Sequence, residues 1–593
     1  MLSYKICGRW PRRRSLSRAL PRAATLWVSG AALLLASCGP VSEYGSVSLA
    51  SELQDHPPPL SSAFGQYLAG RQAQVEHDST AAATYYQGAL LRDSANIELA
   101  RRTWYYMLVS GQSKNAIALA AATLPHDKGN TLAPLVVATG AAHEGRWHDA
   151  LEILAPLKTQ GLNSFVVPLM RAWILAGSGQ HDQALETLRP MRQQQQLVPL
   201  HDFHAGLILD TAGRDAEAGY WYEKVLDGSS LSLRAAQIIA AYLHRNSKTE
   251  AALELFERYR REHMSSVLVD AALMEFRSSN GQDRPVRSAS DGLSEALYGT
   301  ASSIVQEKAW DAVLVFSRMA LIARPDFSYA QLMIGDVLYE QRRWKEAAHI
   351  LGSITKDTPL FWPARLKMAE AFEQDGLPDK ARNVLNTLSD MHPETPEPLM
   401  LLGDLERRQN RWSAAISAYR SGLERLKGTT IPTWPAHYSL GMALERNGQW
   451  SEAEKHLLLA LEQQPDHPMI LNYLGYSWID RGLNLERGKA MIEQAVAQRP
   501  DDGFIVDSLG WALYLLGDYQ GAITYLEQAV ELEPADPTIN DHLGDAYWKA
   551  GRTREAIFQW KRALSLKPED SIARSITQKL DEHAKGREGT SPQ

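Results

Sequence analysis

Cysteine is almost absent: the 593 residues hold only Cys7 and Cys38. So few cysteines exclude a disulfide framework and a cysteine-built metal site. The apolar stretch from Ala23 to Ala36 has about 14 residues, short of the roughly 20 that a membrane-spanning helix needs. No glycine-rich phosphate loop occurs in dinucleotide or Walker spacing. His201 and His204 (HDFH) are three apart but have no third ligand at fixed spacing, so they read as ordinary surface histidines. Ser353 and Lys356 match S-x-x-K by chance, at the end of a predicted helix and without companion motifs. Ser508 lies beside Gly510 but lacks the glycines of a nucleophile elbow. The expectation is a protein that is not an enzyme and carries no cofactor and no metal. Positive charge is also scarce beyond the N-terminus. Residues 1–37 carry seven bases and no acids; without them 55 Lys and Arg face 69 Asp and Glu, a net charge of −14. A body that acidic repels phosphate, so nucleic acid is not an expected partner.

What the chain does have is a repeat. Near the C-terminus every marker moves by 34 residues: Gly510 to Gly544, Ala522 to Ala556, Ala529 to Ala563, Pro534 to Pro568. Small residues stand where two helices must approach, bulky ones fill the gap, and proline stops the second helix. This spacing resembles the tetratricopeptide repeat (TPR), and the resemblance implies an all-α TPR superhelical solenoid. Stepping back in the same register gives Gly475, Gly441, Gly403, Ala369, Gly335 and Ala301. From the N-terminus the register gives Gly70, Trp104, Ala138, Ala172, Gly206 and Ala240. The two series do not join in phase. Between them lies a run of turn formers, Ser278 to Pro285 (SSNGQDRP), read as one irregular repeat. The sum is about fourteen helix-turn-helix repeats.

The N-terminus reads as an export signal. A basic segment (Lys5, Arg9, Arg12, Arg13, Arg14, Arg18, Arg22) precedes the short apolar run, which ends in Leu35-Ala36-Ser37-Cys38. That ending is similar to the lipobox of bacterial lipoproteins, which implies cleavage before Cys38 and lipidation of its thiol. Gly39 follows, where an aspartate would imply retention at the inner membrane. The resemblance thus implies an outer-membrane anchor facing the periplasm. The expected organisation is a signal peptide over 1–37 and a lipidated cysteine with flexible tether over 38–62. A divergent N-terminal repeat segment follows over 63–263, and an irregular repeat or joint over 264–296. Regular repeats fill 297–570, with a capping helix and polar tail over 571–593.

The first helix of each TPR lines the groove of the solenoid. Positions three before the marker, and one and four after it, are expected to face inward. In the last repeats these include Asn472, Tyr476, Asp507, Trp511, Tyr514, Asp541, Asp545 and Trp548. Carboxylates and an amide interleaved with aromatics suit a peptide carrying basic or polar groups. Trp147, Trp310, Trp344, Trp412 and Trp450 all stand nine residues after a marker. They read as plugs of the turn within a repeat, with a ladder of exposed partner anchors as the other reading.

The C-terminal stretch is more specific than a generic repeat. Asn472-Tyr473-Leu474-Gly475-Tyr476, Asp507-Ser508-Leu509-Gly510-Trp511 with Tyr514, and His542-Leu543-Gly544-Asp545 with Trp548 and Trp560 resemble one group of bacterial outer-membrane TPR lipoproteins. Members of that group act as adaptors for a periplasmic carboxyl-terminal processing protease and deliver cell-wall hydrolases to it. The resemblance implies a non-enzymatic, lipid-anchored scaffold with a protease and hydrolases as partners. A TPR lipoprotein of an envelope polysaccharide-secretion or pilus-assembly complex is the alternative.

Overall fold

The computed structural model describes residues 62–228, 231–263, 267–278 and 284–588. The expected export leader, Cys38 and the expected tether up to residue 61 lie outside the described residues. Among the described residues there is no strand. Helices pair from Ala63–Val75 with Ser79–Leu90 to Pro537–Lys549 with Thr553–Ser565, fourteen pairs among the described residues. One unpaired helix, Val267–Ser278, follows the sixth pair, and Asp570–Glu588 follows the last. This is the all-α TPR solenoid that the 34-residue register predicts.

The marker works through a contact 16 residues downstream. A Cβ added at Gly403 would come within 2.4 Å of the Tyr419 ring, and one at Gly544 within 2.5 Å of Trp560. Gly335 and Leu351, Gly441 and Leu457, and Gly510 and Leu526 repeat the arrangement at 2.6 to 2.7 Å. Where alanine takes the marker position, as at Ala138, Ala172, Ala240 and Ala301, it is fully buried. The first helix of a pair thus gives up side-chain volume and the second supplies it, so the two backbones pack closely. Gly403→Ala is accordingly expected to destabilise the protein by about 1–3 kcal/mol, read as a lower denaturation midpoint with an unchanged slope. The turn inside a pair is set by one left-handed residue, or by two, Gly482 and Asn484, before Leu485–Gln498. At Gly448 (φ +76°), Gly448 N donates to Glu445 O and Gln449 N to Leu444 O. These bonds satisfy the last carbonyls of the first helix and reverse the chain.

The described chain forms two compact units, divided between Leu388 and Ser389. The stretch 264–296, read as a joint, lies inside the first.

In the first unit, the pair Ala289–Ser303 and Trp310–Ala323 does more than continue the stack. Ala289–Ser303 packs against Asn163–Gly177 and Val198–Thr211, while Trp310–Ala323 packs against Leu132–His143 and Ile97–Ser110. All four partners are first helices, so the chain covers the inward face of its own N-terminal repeats. Buried apolar side chains make the contact, among them Trp173, Leu293, Leu297 and Met319. Polar ties complete it: Arg318 Nε donates to Val109 O at 3.1 Å, and His143 Nδ1 meets Ala323 O at 3.2 Å. Arg318 reaches a carbonyl at a helix C-terminus, where a cation is favoured, although burial pulls its pKa down to about 10. Ion pairs fasten the returning chain through Glu295 and Arg284. Arg234 closes on the buried Glu295, and Asp210 receives both Arg245 and Arg284.

Candidate functional site

In the second unit no helix pair covers the first helices among the described residues. Their inward positions therefore line an open groove through Glu397–Arg408, Trp434–Arg446, Pro468–Asp480, Gly503–Leu515 and Pro537–Lys549.

The structure gathers most of the predicted groove residues into one aromatic and acidic cluster. Trp511 is sandwiched between Tyr514, at 4.5 Å between centroids and 13° between planes, and His542, at 4.0 Å and 17°. Asp507 accepts from His542 Nδ1 at 3.0 Å. Farther along, Lys579 Nζ donates to Asp541 at 2.9 Å and to Asp545 at 2.8 Å. Trp560 Nε1 also donates to Asp545, at 2.9 Å. Trp548 is 39% exposed at the end of the row, its ring 5.5 Å from Trp560. Tyr476 stands one repeat upstream, half-buried. Asn472 presents a buried amide oxygen with no hydrogen-bond partner. Ile479, four after Gly475, belongs instead to the apolar core.

These neighbours tune one another's titration. Burial, then Asp480 and Asp507, push the Tyr476 hydroxyl up to about 12. Burial, then the Asp545 charge, do the same to Tyr514. Burial, then the Asp545 charge, raise the Asp541 carboxyl, against the pull of Lys579. Burial by itself would lower the His542 pKa, but Asp507, Asp541 and Asp545 together hold it above the ordinary histidine value. A histidine with a raised folded pKa stabilises the fold fully below about pH 6.5, its unfolded value. That contribution disappears as pH rises through the folded pKa. The melting temperature is therefore expected to decline through this window in the wild type. The decline should be smaller in His542→Gln, measured by thermal melts across the same pH series.

Sequence reasoning missed three contributors. His542 and Trp560 enter the sequence reading only as parts of the C-terminal signature, Lys579 lies on the closing helix, and the Trp560 ring faces back toward the groove from a second helix. Lys579 was legible in part, since Ile572, Ile576 and Leu580 fix the buried stripe that it flanks.

Other sequence candidates fall elsewhere. His201 and His204 are buried, which corrects the surface reading. His201 Nδ1 pairs with Asp202 at 2.7 Å, and His204 Nδ1 accepts from Trp173 Nε1 at 3.1 Å. His204, bonded to Trp173, lies under the layer formed by residues 289–323, whereas His201 packs against Trp221 of its own helix pair; burial lowers the pKa of each, that of His204 to about 3. No cluster of three or more potential ligands for a metal occurs among the described residues. Ser353 closes a helix, its hydroxyl donating to Ile350 O at 2.6 Å. Trp147, Trp310, Trp344, Trp412 and Trp450 each begin a second helix and are half-buried. They plug the turns.

The fold and the groove define the class: a TPR solenoid with a groove open to protein partners. Tetratricopeptide-repeat family models match residues 169–232, 338–405, 434–477, 510–551 and 538–570. A TPR repeat-containing protein of Pseudomonas aeruginosa is 28% identical over 174 residues, 28% of either chain. The chain thus spans little more than a quarter of that relative's length. Among solved structures, the Cut9–Hcn1 hetero-tetramer of the APC/C is 16% identical at a TM-score of 0.36, covering 87% of this chain and 96% of that one. YrrB, described as a TPR protein with an unusual peptide-binding site, is 16% identical at a TM-score of 0.26, covering 33% and 97%. A thermophilic TPR protein of Thermus thermophilus is 22% identical at 0.28, covering 31% and 99%.

Proposed function

We propose that this protein is a non-enzymatic, lipid-anchored periplasmic scaffold that holds partner proteins in the groove of its second unit. On this reading it serves as an adaptor for a carboxyl-terminal processing protease. The observation that carries the groove assignment is the contrast between the two units. The first covers the inward face of its helices between 97 and 211 with a returning helix pair, whereas the second leaves Trp511, Tyr514 and Trp548 along an uncovered one. Stacked aromatics among carboxylates suit a chain segment that offers apolar contact and polar or basic groups. The lipid anchor is supported by Leu35-Ala36-Ser37-Cys38 behind its basic and apolar flanks. The adaptor role is supported by the C-terminal signature from Asn472 to Trp560.

Two experiments test this. In the first, the full chain is used to capture partners from detergent-solubilised envelopes, and the captured proteins are identified by mass spectrometry. Enrichment of a periplasmic protease and cell-wall hydrolases supports the adaptor role. A secretion pore or polymer-modifying enzymes would replace that role with membership of an export complex. In the second, Cys38→Ala is expected to move the protein from the membrane pellet to the soluble fraction. Each buried acyl methylene contributes about 0.8 kcal/mol, so losing two or more chains abolishes stable anchoring. A variant that stays in the pellet after a high-salt wash would refute lipidation at that residue.

A further inference from the structure

The two ends of the described chain are finished differently. At the C-terminal end Asp570–Glu588 closes the last helix pair. Ile576 is fully buried there, Ile572 and Leu580 pack beside it, and Arg574, Gln578 and Glu582 face solvent. A solenoid needs such a polar outer face on its terminal element to stay soluble. The N-terminal end has none among the described residues. Its first helix, Ala63–Val75, is backed by Ser79–Leu90, and the nearest helix on which the returning pair packs is Ile97–Ser110. Phe64, Leu68 and Val75 stand 69%, 49% and 68% exposed. With 3.6 residues per turn they share an arc of about 40°, and the exposed Arg71 lies beside them. Val136, Met170 and Ile238, each two residues before its marker as Leu68 is before Gly70, are buried. The first helix therefore presents a bare apolar stripe at a position that later repeats cover.

We infer that Phe64, Leu68 and Val75 enter the surface of the membrane that holds the lipidated Cys38, with Arg71 meeting its anionic headgroups. This rests on the lipid-anchor reading given above and adds a second contact, which fixes how the first unit lies on the bilayer. Size selects this occupant. Three side chains on one helix present no more than a few hundred Å², well short of the roughly 1,000 Å² that a specific protein interface buries. A second copy or a soluble partner would need more apolar surface than the stripe offers. A bilayer asks for less, because a tether already supplies the local concentration. Cys38 stands 24 residues before Ser62, so even a fully extended connection keeps the helix within about 85 Å of the anchor. An interfacial helix buries its apolar face about 5–10 Å into the headgroup and acyl boundary, with cations along its polar side. The opposite face is already committed, since Gly70 lies against the Tyr86 ring. The helix pair thus keeps its own core while the stripe enters lipid.

The test uses the full chain, produced in a bacterial host that lipidates it and reconstituted into vesicles of phosphatidylethanolamine and phosphatidylglycerol. On the anchor reading Cys7 leaves with the leader and Cys38 is acylated, so Leu68→Cys supplies the thiol that takes an environment-sensitive dye. Thr80→Cys, at an exposed position of the second helix, is the control. Lipids with a spin label high on the acyl chain should quench the dye at 68 about threefold more than at 80, as burial by about 5–10 Å requires. Adding Phe64→Ser and Val75→Ser, both at exposed positions, should bring quenching down to the control level. Equal quenching at 68 and 80, in protein that floats with the vesicles, overturns the inference and leaves the anchor standing. A chain that does not float, or that takes the dye at Cys38, removes the anchor reading and the inference together. The Cys38→Ala chain without vesicles tests the other occupants. A dye at 68 shielded from water there, and released on dilution, shows a second copy on the stripe. Shielding that survives dilution shows the chain's own upstream segment, and either result overturns the inference.

Discussion

Gly292→Val is expected to destabilise the first unit by roughly 3–5 kcal/mol, at or above the upper end for overpacked cores. A Cβ at this position would stand 2.1 Å from Cζ3 and 2.2 Å from Cη2 of Trp173. Neither side has room to yield. Trp173 is fully buried and its indole N–H is tied to His204, while Gly292 sits in the first turns of a helix capped by Ser288. That helix, Ala289–Ser303, is the one that packs on the inward faces of Asn163–Gly177 and Val198–Thr211. The substitution therefore acts on the contact that closes the N-terminal groove, not merely on one helix pair. Equilibrium unfolding of the full chain, followed by tryptophan fluorescence, should show an early transition split from that of the second unit. Trp173→Phe supplies the control. Phenylalanine lacks the benzo ring that carries Cζ3 and Cη2, so it should recover part of the loss, with a coupling above about 1 kcal/mol for residues in contact. Simple additivity of the two substitutions would mean that the helix does not dock as described.

This closed groove marks the limit of what the sequence discloses. The pair-by-pair fold is legible because each repeat is held by a local contact, a small residue and a bulky one 16 positions apart, which leaves a periodic trace. The return of residues 289–323 onto helices between 97 and 211 has no such trace. Its contacts join segments from about 80 to more than 200 residues apart, and the hint it leaves is only that Leu132–His143 is apolar on every face rather than on one. In retrospect Gly292 and Ala296, one turn apart, provide a narrow face for close approach. The same covering layer explains His204, whose polar character suggests surface, while Trp221 of the same helix pair covers His201. At the groove, the 34-residue register places Asp507, Trp511, Asp541 and Asp545 on the inward face. It does not say which cations meet them. Those come from the neighbouring repeat (His542) and from the closing helix (Lys579), and their choice depends on how successive helices cross.

Trp511→Ala should weaken partner binding by about 2–4 kcal/mol, roughly 30- to 1,000-fold, as expected for an aromatic anchor at the centre of an interface. The indole is the middle member of the stack Tyr514–Trp511–His542, so its loss removes contact area and also the surface that orients the two flanking rings. Stacked pairs contribute about 0.5–1.5 kcal/mol each beyond their buried area. The substitution should therefore cost some fold stability as well, and binding must be measured well below the melting transition. Trp344→Ala separates the two effects. Trp344 starts a second helix in the first unit and plugs a turn there, so its truncation should lower the first unit's stability and leave partner affinity unchanged. A Trp511→Ala protein that stays folded and retains full affinity for the captured partner would move the interface out of this groove. Weakened binding in both variants would point to general loosening of the solenoid. Only the asymmetric result, affinity lost at Trp511 and kept at Trp344, assigns recognition to the open face of the second unit.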